Sequence, residues 1–328
     1  MALYLVTGGC GFIGSHLVET LLSKGHRVRV LDNLSTGKLS NVPSECEVVI
    51  GDVSDGAVVK SCFEGIDHCF HLAAIASVQL SNEDWCGTHL VNQTASLRVF
   101  EAARENSIPV VYASSAAVYG DNAETPLKET AVLRPLTAYG ADKLGTELHA
   151  RVASLVHSVP TVGLRFFNVY GPRQDPSSPY SGVISIFVNK SLNQEPLSIY
   201  GDGNQVRDFI YVKDVVSFLL AAMQKVSVTS SVFNVCSGHR ISIRQLANTV
   251  MGIAGHRFPI EYLPSRQGDI RVSVGDPAYS YRHLNIRVSH SLAGGLIELI
   301  SNQNMDISAI TIPPVKPVFS LYSQPETS

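Results

Sequence analysis

The chain carries few charges and no cluster of one sign. Of its 328 residues only 16% are charged, and the formal net charge is −3. No run of Lys or Arg offers a surface to nucleic acid or to an anionic membrane. No apolar stretch reaches transmembrane length; the best, Val215 to Met223, is too short. The opening has no basic segment and no cleavage site. Its apolar run Ala2–Val6 ends at once in glycines, which predicts a strand rather than a signal peptide. Six cysteines (Cys10, Cys46, Cys62, Cys69, Cys86 and Cys236) show no Cys-x-x-Cys spacing. They are expected as free thiols, mostly packing residues, in a reducing cytoplasm. There is no internal repeat. What is present is a 45% hydrophobic composition, enough for the core of one large domain or two and typical of a packed soluble enzyme.

The first half alternates short apolar runs with helix-periodic segments. Strands are expected at Leu3–Val6, Val28–Leu31, Val48–Ile50, His68–Leu72, Val110–Ala113 and Val162–Leu164. Helices are expected at Ile13–Leu22, His89–Arg104 and Tyr139–Val156. This βαβ pattern predicts the α/β class with a Rossmann doubly wound parallel sheet. Right-handed crossovers then bring the C-terminal ends of the strands to one edge, where ligands bind. Ser114 and the Phe166–Tyr170 segment follow strands and fall on that edge. The second half is less regular. Tyr170 through Gly182 is turn-rich, with three prolines, and predicts the start of a smaller, discontinuous C-terminal substrate lobe. Asp208–Met223 and Val232–Val235 return to the sheet pattern. The expected division is 1–168 plus about 207–237 for the dinucleotide domain and 169–206 plus about 238–301 for the lobe. The proline-bearing stretch 302–328 is expected as a loosely ordered tail.

Gly8, Gly11 and Gly14 lie between an expected strand and an expected helix. The first suits a tight turn, the second lets phosphate approach the backbone, and the third lets helix pack on strand. Asp32 ends the next strand, 18 residues after Gly14. A carboxylate there can accept both hydroxyls of an adenosine ribose and would repel a 2′-phosphate. Asn33 and Leu34 follow, not Arg, so NAD is favoured over NADP. Asp52 is a candidate for the adenine edge. Glycines as mere turn formers, with Asp32 as a strand-end cap, are the bland alternative; strand, helix and acid in register argue for the cofactor.

Tyr139 and Lys143 form a Tyr-x-x-x-Lys pair, placed by helical spacing on one face. A nearby ammonium is expected to lower the phenol from its ordinary pKa of about 10 and fit Tyr139 for general base catalysis. Lys143 can also hydrogen-bond a nicotinamide ribose. Ser115, in preference to Ser114, would bond the reacting oxygen and share its proton. A surface tyrosine with a cation one turn away is the bland reading. It is disfavoured because all three side chains should meet the cofactor at one sheet edge.

A set of ordered motifs then carries a resemblance. Thr7–Gly14, Asp32–Gly37, His71–Ala74, Ser114–Gly120, Tyr139–Lys143, Arg165–Pro172 and Arg207–Val212 resemble the extended short-chain dehydrogenase/reductases. Within these the nearest likeness is to nucleotide-sugar 4-epimerases acting on UDP-glucose or UDP-N-acetylglucosamine, over roughly residues 1–300. The resemblance implies tightly bound NAD. It places Phe12, Ile13, Asn33, Ser35, Thr36, Gly37 and Val53 among the cofactor-binding residues. It places Leu72, Ala73, Ala74, Asn92, Ala113 and Phe166 there as well. For a UDP-sugar it implies Asn168, Arg207 and Arg266 at the diphosphate, Asp269 at the ribose and Tyr200 at the uracil, with Ser77, Ser115, Val183 and Ser273 also in contact. No metal is implied.

Related dehydratases carry an Asp-Glu pair after the hydroxyl residue, and related decarboxylases keep the Glu. Ala116 and Ala117 stand there here and cannot move protons. The implied reaction is oxidation at sugar C4 with Tyr139 taking the O4 proton, turning of the 4-keto sugar, and reduction on its other face. Ser273 stands where glucose-only members are bulky, which favours 2-acetamido sugars. Ala76, Ser185 and Gly275 depart from the pattern. Alternatives are another nucleotide-sugar oxidoreductase (a uronate epimerase, a net dehydrogenase or reductase, or a dehydratase) and a catalytically silent NAD-binding scaffold. The resemblance also implies a cytoplasmic homodimer built on a four-helix bundle from the segments near His89–Arg104 and Tyr139–Val156.

Overall fold

The computed structural model describes residues 1–176, 182–265 and 269–302. Arg266 and all of the expected tail beyond residue 302 lie outside the described residues. Fourteen short strands form along the described chain. They are β1 (Leu3–Thr7), β2 (Arg27–Asp32), β3 (Glu47–Ile50), β4 (His68–His71), β5 (Val110–Ser115), β6 (Thr161–Phe166) and β7 (Asn168–Tyr170). Then follow β8 (Leu197–Tyr200), β9 (Val206–Arg207), β10 (Phe209–Tyr211), β11 (Ser231–Val235), β12 (Ile241–Ser242), β13 (Ile260–Leu263) and β14 (Val272–Ser273).

Seven strands pair in the order β11-β6-β5-β4-β1-β2-β3, every neighbour parallel. Parallel strands covered on both faces read as continuous apolar runs, and β6 is buried along its whole length. Six helices matter for the site: α1 (Phe12–Ser23), α2 (Gly56–Cys62), α3 (Val78–Glu83), α4 (Trp85–His89), α5 (Ala95–Arg104) and α6 (Ala138–His157). Leu17, Val18 and Leu21 of α1 join Val215, Phe218 and Leu219 of the helix Val212–Met223 in the core on one sheet face. Val59 of α2, Val99 of α5 and Ala150 of α6 fill the other. Strand order reverses between β1 and β4. The crevice at that switch point is where an open α/β sheet takes its ligand.

The expected helix over His89–Arg104 is interrupted by a π turn at Leu90–Thr94. The Ser96 hydroxyl donates to the Asn92 carbonyl there at 2.6 Å, with the Thr146 hydroxyl, itself bonded to Asp142 O, 3.4 Å away. Side-chain insertion into the backbone ladder opens such a turn. In the second half, β7 pairs with β10, β8 with β13, and β9 lies between β12 and β14. A separate core of Phe187, Leu197, Leu246 and Val250 packs these pieces together. Among the described residues no helix is long and apolar enough to cross a membrane.

Candidate active site

A cleft of about 560 Å³ opens over the switch point. Its floor at the β1 end is the glycine turn. Gly8 has φ +70°, and a Cβ there would sit 2.8 Å from the Ala73 nitrogen. A Cβ on Gly14 would sit 2.2 Å from the Gly8 carbonyl oxygen, so α1 can start this close to β1 only with glycine. Phe12 and Ile13 also line the cleft, and Gly11 donates its N–H to Gly8 O.

Asp32 is buried at the end of β2 and held from both sides. Cys10 N–H donates to Oδ2 at 2.9 Å and Leu34 N–H to Oδ1 at 2.8 Å. A carboxylate fixed by two backbone donors keeps further lone pairs for a diol. Asn33 bridges onward: its Nδ2 donates to Asp52 Oδ2 and its Oδ1 accepts from Ser35 N–H. Asp52, held below its usual range chiefly by hydrogen bonds from Ser54, stays anionic beside buried Val53. Gly37 packs against Cys10 and Asp32, with Thr36 exposed before it. The donor set and the tight glycine turn fit a dinucleotide with a free ribose diol.

The segment Leu72–Ile75 forms the adjoining wall, with Leu72 and Ala74 in the cleft. Its position is fixed by a buried polar chain. Leu72 and Ala73 N–H both donate to Thr7 Oγ1 at 3.2 Å, so the Thr7 hydroxyl proton goes to His71 Nδ1, 2.8 Å away. Ser96 donates to Asn92 O and must therefore accept from His71 Nε2–H at 3.0 Å. His71 is thus neutral with its proton on Nε2. Burial first, and Lys143 second, push it down to about 3. Asn92 is fully buried and spends its amide on both backbone groups of Ile75. It positions this wall rather than lining the cleft.

The neutral His71 sets a stability prediction. Its folded pKa lies below the unfolded value of about 6.5, so the unfolded chain takes up a proton that the folded one refuses. Stability from this site is present above pH 6.5 and is lost as pH falls toward about 3. Denaturant unfolding across that window should lose up to ~1.4 kcal/mol per pH unit from His71 alone. In His71→Asn the slope should flatten.

Tyr139 and Lys143 stand in the first two turns of α6, capped by the Thr137 hydroxyl on Gly140 N–H. Lys143 Nζ donates to Ala113 O at the end of β5, at 3.0 Å. The ammonium lies 5.8 Å from the centre of the Tyr139 ring. The Ser115 hydroxyl lies near enough to the Tyr139 phenol to favour its ionised form, and it accepts Ala117 N–H at 3.1 Å. One expectation is corrected. The phenol is pushed up by burial, only partly offset by Ser115, and Lys143 does not lower it. Burial instead brings Lys143 down to about 8, against the pull of Asp142.

The far end of the cleft is set by β9 and β14, whose register pairs Arg207 with Ser273. Arg207 donates to Asp269 Oδ1 at 2.5 Å and to the carbonyls of Val206 and Ile270. Arg207, Asp269, Ser273 and Asn168 all line the cleft, as do Phe166, Ala113 and Tyr139. Asn168 donates its amide to Asp208 O. Ser77 caps α3, Val183 opens the helix Val183–Leu192, and Tyr200 ends β8; none of the three is in the cleft wall. Sequence reasoning missed Gln174, a cleft residue whose buried Oε1 has no partner among the described residues. It sits in the turn-rich stretch, where no periodicity marks a facing side chain. Glu147 was also missed, although it continues the spacing of Tyr139 and Lys143 by one more turn.

Comparison with known proteins agrees with this geometry. The sequence pattern of the NAD dependent epimerase/dehydratase family matches residues 4–236. A putative UDP-glucose 4-epimerase of Methanocaldococcus jannaschii is 36% identical over 270 residues, 81% of this chain and 87% of that one. A UDP-N-acetylglucosamine 4-epimerase of Methanobrevibacter ruminantium, solved with UDP-N-acetylmuramic acid, superposes with a TM-score of 0.87. It is 36% identical, covering 92% of this chain and 97% of that one. The UDP-glucose 4-epimerase of Thermus thermophilus, solved with NAD, gives 0.85 at 36% identity, covering 91% and 98%. The chain belongs to the NAD dependent epimerase/dehydratase family, and NAD is its cofactor.

Proposed function

We propose that this enzyme epimerises a UDP-sugar at C4, with UDP-N-acetylglucosamine and UDP-N-acetylgalactosamine as its pair. The observation that carries the reading is the meeting of Ser115, Tyr139 and Lys143 in one cleft whose other end holds Arg207. Among the described lining residues the titratable side chains are Tyr139, Lys143, Arg207 and Asp269, and the last two are paired with each other. Dehydration would need further acid–base groups beside the sugar, and Ala116 and Ala117 occupy that wall. A uronate would need a cation for its carboxylate. Among the described lining residues the only cations are Lys143, whose free protons face the cofactor side beside Ala113, and Arg207, whose free N–H donors are needed for the diphosphate, so none is left for a sugar carboxylate. A neutral sugar fits best.

NAD, when bound, supplies a hydride acceptor and donor and a positive ring that favours a nearby phenolate. Tyr139 takes the proton from O4 and returns it, and Ser115 holds that oxygen by hydrogen bonding. Lys143 Nζ orients the end of β5 and offers its remaining protons to the cofactor ribose. Arg207, with Asn168, anchors the diphosphate through paired N–H donors while the sugar turns. The glycine turn Gly8–Gly14 and Asp32 hold the dinucleotide so that it stays bound between turnovers. The segments 1–168 and 207–237 would form the NAD unit, and the remaining segments up to residue 301 the substrate lobe. Leu148, Val152 and Leu155 leave an apolar stripe exposed on α6, which suits the bundle of a homodimer.

Proton NMR of the purified protein with UDP-N-acetylglucosamine and no added NAD tests the reading. A growing anomeric signal of the galacto epimer supports it. No change there, with conversion of UDP-glucose, would keep the reaction and overturn the acetamido assignment. Ser273 gives a second handle. Ser273→Tyr should cost the acetamido substrate at least ~10-fold in kcat/KM, because the added ring fills the space of the N-acetyl group. UDP-glucose turnover should change far less in the same variant.

A further inference from the structure

We propose that Glu147 and Arg165 are positioning residues for the reaction: through Ser114 they fix the register of β5 against α6, so that Ser115 and not its neighbour meets Tyr139. The inference rests on the reaction proposed above. Ser114 and Ser115 are the same residue type in adjacent places, and strand alternation sends them to opposite faces. Both touch the cleft, but the Ser114 side chain is buried, 1% exposed, and turned to Glu147, whereas Ser115 is half-buried and caps the turn at Ala117 N–H. A slip of one residue would exchange them.

Glu147 is placed to prevent that exchange. It follows Tyr139 and Lys143 at helical spacing along the α6 face that looks at β5. Its Oε1 accepts from Ser114 Oγ at 2.5 Å and from Arg165 Nε at 2.8 Å, and its Oε2 from Arg165 Nη2 at 2.7 Å. Ser114 and Arg165 are register partners on β5 and β6. One carboxylate therefore reads two strands at a single level of the sheet. Lys143 grips the preceding residue of β5 through Ala113 O. Arg165 extends the pin with Nη1, which donates to Tyr119 Oη at 2.9 Å and Glu129 O at 3.1 Å. Tyr119 Oη in turn donates to Asn234 Oδ1 on β11 at 2.6 Å. The turn Ala116–Tyr119 that follows Ser115 is held by the same group of side chains.

The pair is almost fully enclosed, with 5% and 6% of the two side chains exposed. Apolar residues of similar volume often replace a buried ion pair without loss of stability. Retaining charge here is accounted for by register, which the apolar side chains of β5, covered on both faces of the sheet, specify only weakly. That difference gives the test.

The double variant Glu147→Leu/Arg165→Met should fold with a melting temperature near that of the parent. Its kcat should fall by about 10-fold or more, with KM within about threefold, because small misplacement of reacting groups is costly. Ser114→Ala, which removes only the hydroxyl, should lower kcat by a smaller factor in the same pattern. In protein carrying 13Cζ-labelled tyrosine, assigned with Tyr139→Phe, the Tyr139 resonance should move in both variants as its Ser115 partner shifts. Folded variants with parental kcat and an unmoved Tyr139 resonance would overturn the proposal. If the double variant does not fold, Ser114→Ala decides. If the parent epimerises no UDP-sugar, the reaction assignment fails, and the tyrosine resonance still decides the positioning role.

Discussion

Tyr139→Phe should reduce turnover by about 10²–10⁴-fold, the usual worth of a positioned acid–base group. The substitution removes one oxygen and leaves the ring, the wall of the cleft and the start of α6 as they are. The group that loses its neighbouring oxygen is the Ser115 hydroxyl. Ser115 keeps the Ala117 N–H donor, so its rotamer stays anchored. Copurified NAD and the melting temperature should therefore match the parent, and KM for the nucleotide sugar should change little. That combination separates loss of the base from loss of the site. The effect should exceed that of Ser115→Ala, which takes away a hydrogen-bond partner of the reacting oxygen but not the proton acceptor. Quench-flow or NMR turnover assays on both variants, with NAD content read by absorbance after denaturation, check the order. Equal losses in the two variants would mean that the hydroxyl pair acts as one unit.

The strands of the parallel sheet were legible because most of their positions are covered on both faces, so each holds a short apolar stretch, even where Arg29, Arg165 or Asn234 interrupts it. β1, β2, β5, β6 and β11 fall where those runs lie, extended by a residue or two at the ends. The glycine turn was legible for a related reason. Its spacing is dictated by a steric contact, Gly14 against the Gly8 carbonyl, that no other residue permits. The Tyr139–Lys143 stripe was legible from helical spacing alone. What spacing does not encode is how dry the surroundings are. It puts the ammonium near the phenol, yet enclosure by protein raises the Tyr139 pKa and lowers that of Lys143. Partners distant in sequence were equally silent. Asn92 is spent on Ile75, and Glu147 meets Arg165 across the sheet edge. The π turn at Leu90–Thr94 has the Ser96 hydroxyl on the Asn92 carbonyl at 2.6 Å, a contact that periodicity in the local window does not show.

Gly14→Ala should cost the protein its retained NAD. The new Cβ would lie 2.2 Å from the Gly8 carbonyl oxygen and 2.8 Å from Gly9 Cα, closer than any real Cβ contact. Neither neighbour can swing aside, because both are backbone atoms of the turn. Relief must come from moving the start of α1 away from β1. That motion also withdraws the helix N-terminus and the Phe12–Ile13 wall from the place a pyrophosphate would occupy. Overpacking of this kind costs about 1–3 kcal/mol, equivalent to ~5–150-fold in binding if it falls on the cofactor site. The purified variant should carry little NAD and regain part of its turnover when millimolar NAD is added. Gly11→Ala is the graded control, since its nearest contact, again Gly8 O, is 3.2 Å away. It should retain more cofactor than Gly14→Ala. Gly25→Ala, in open space at φ +77°, should lose some stability from the left-handed backbone and leave the NAD content untouched. A Gly14→Ala protein that copurifies with a full complement of NAD would show that the turn can relax, and that the tightness of the β1–α1 approach is not what holds the dinucleotide.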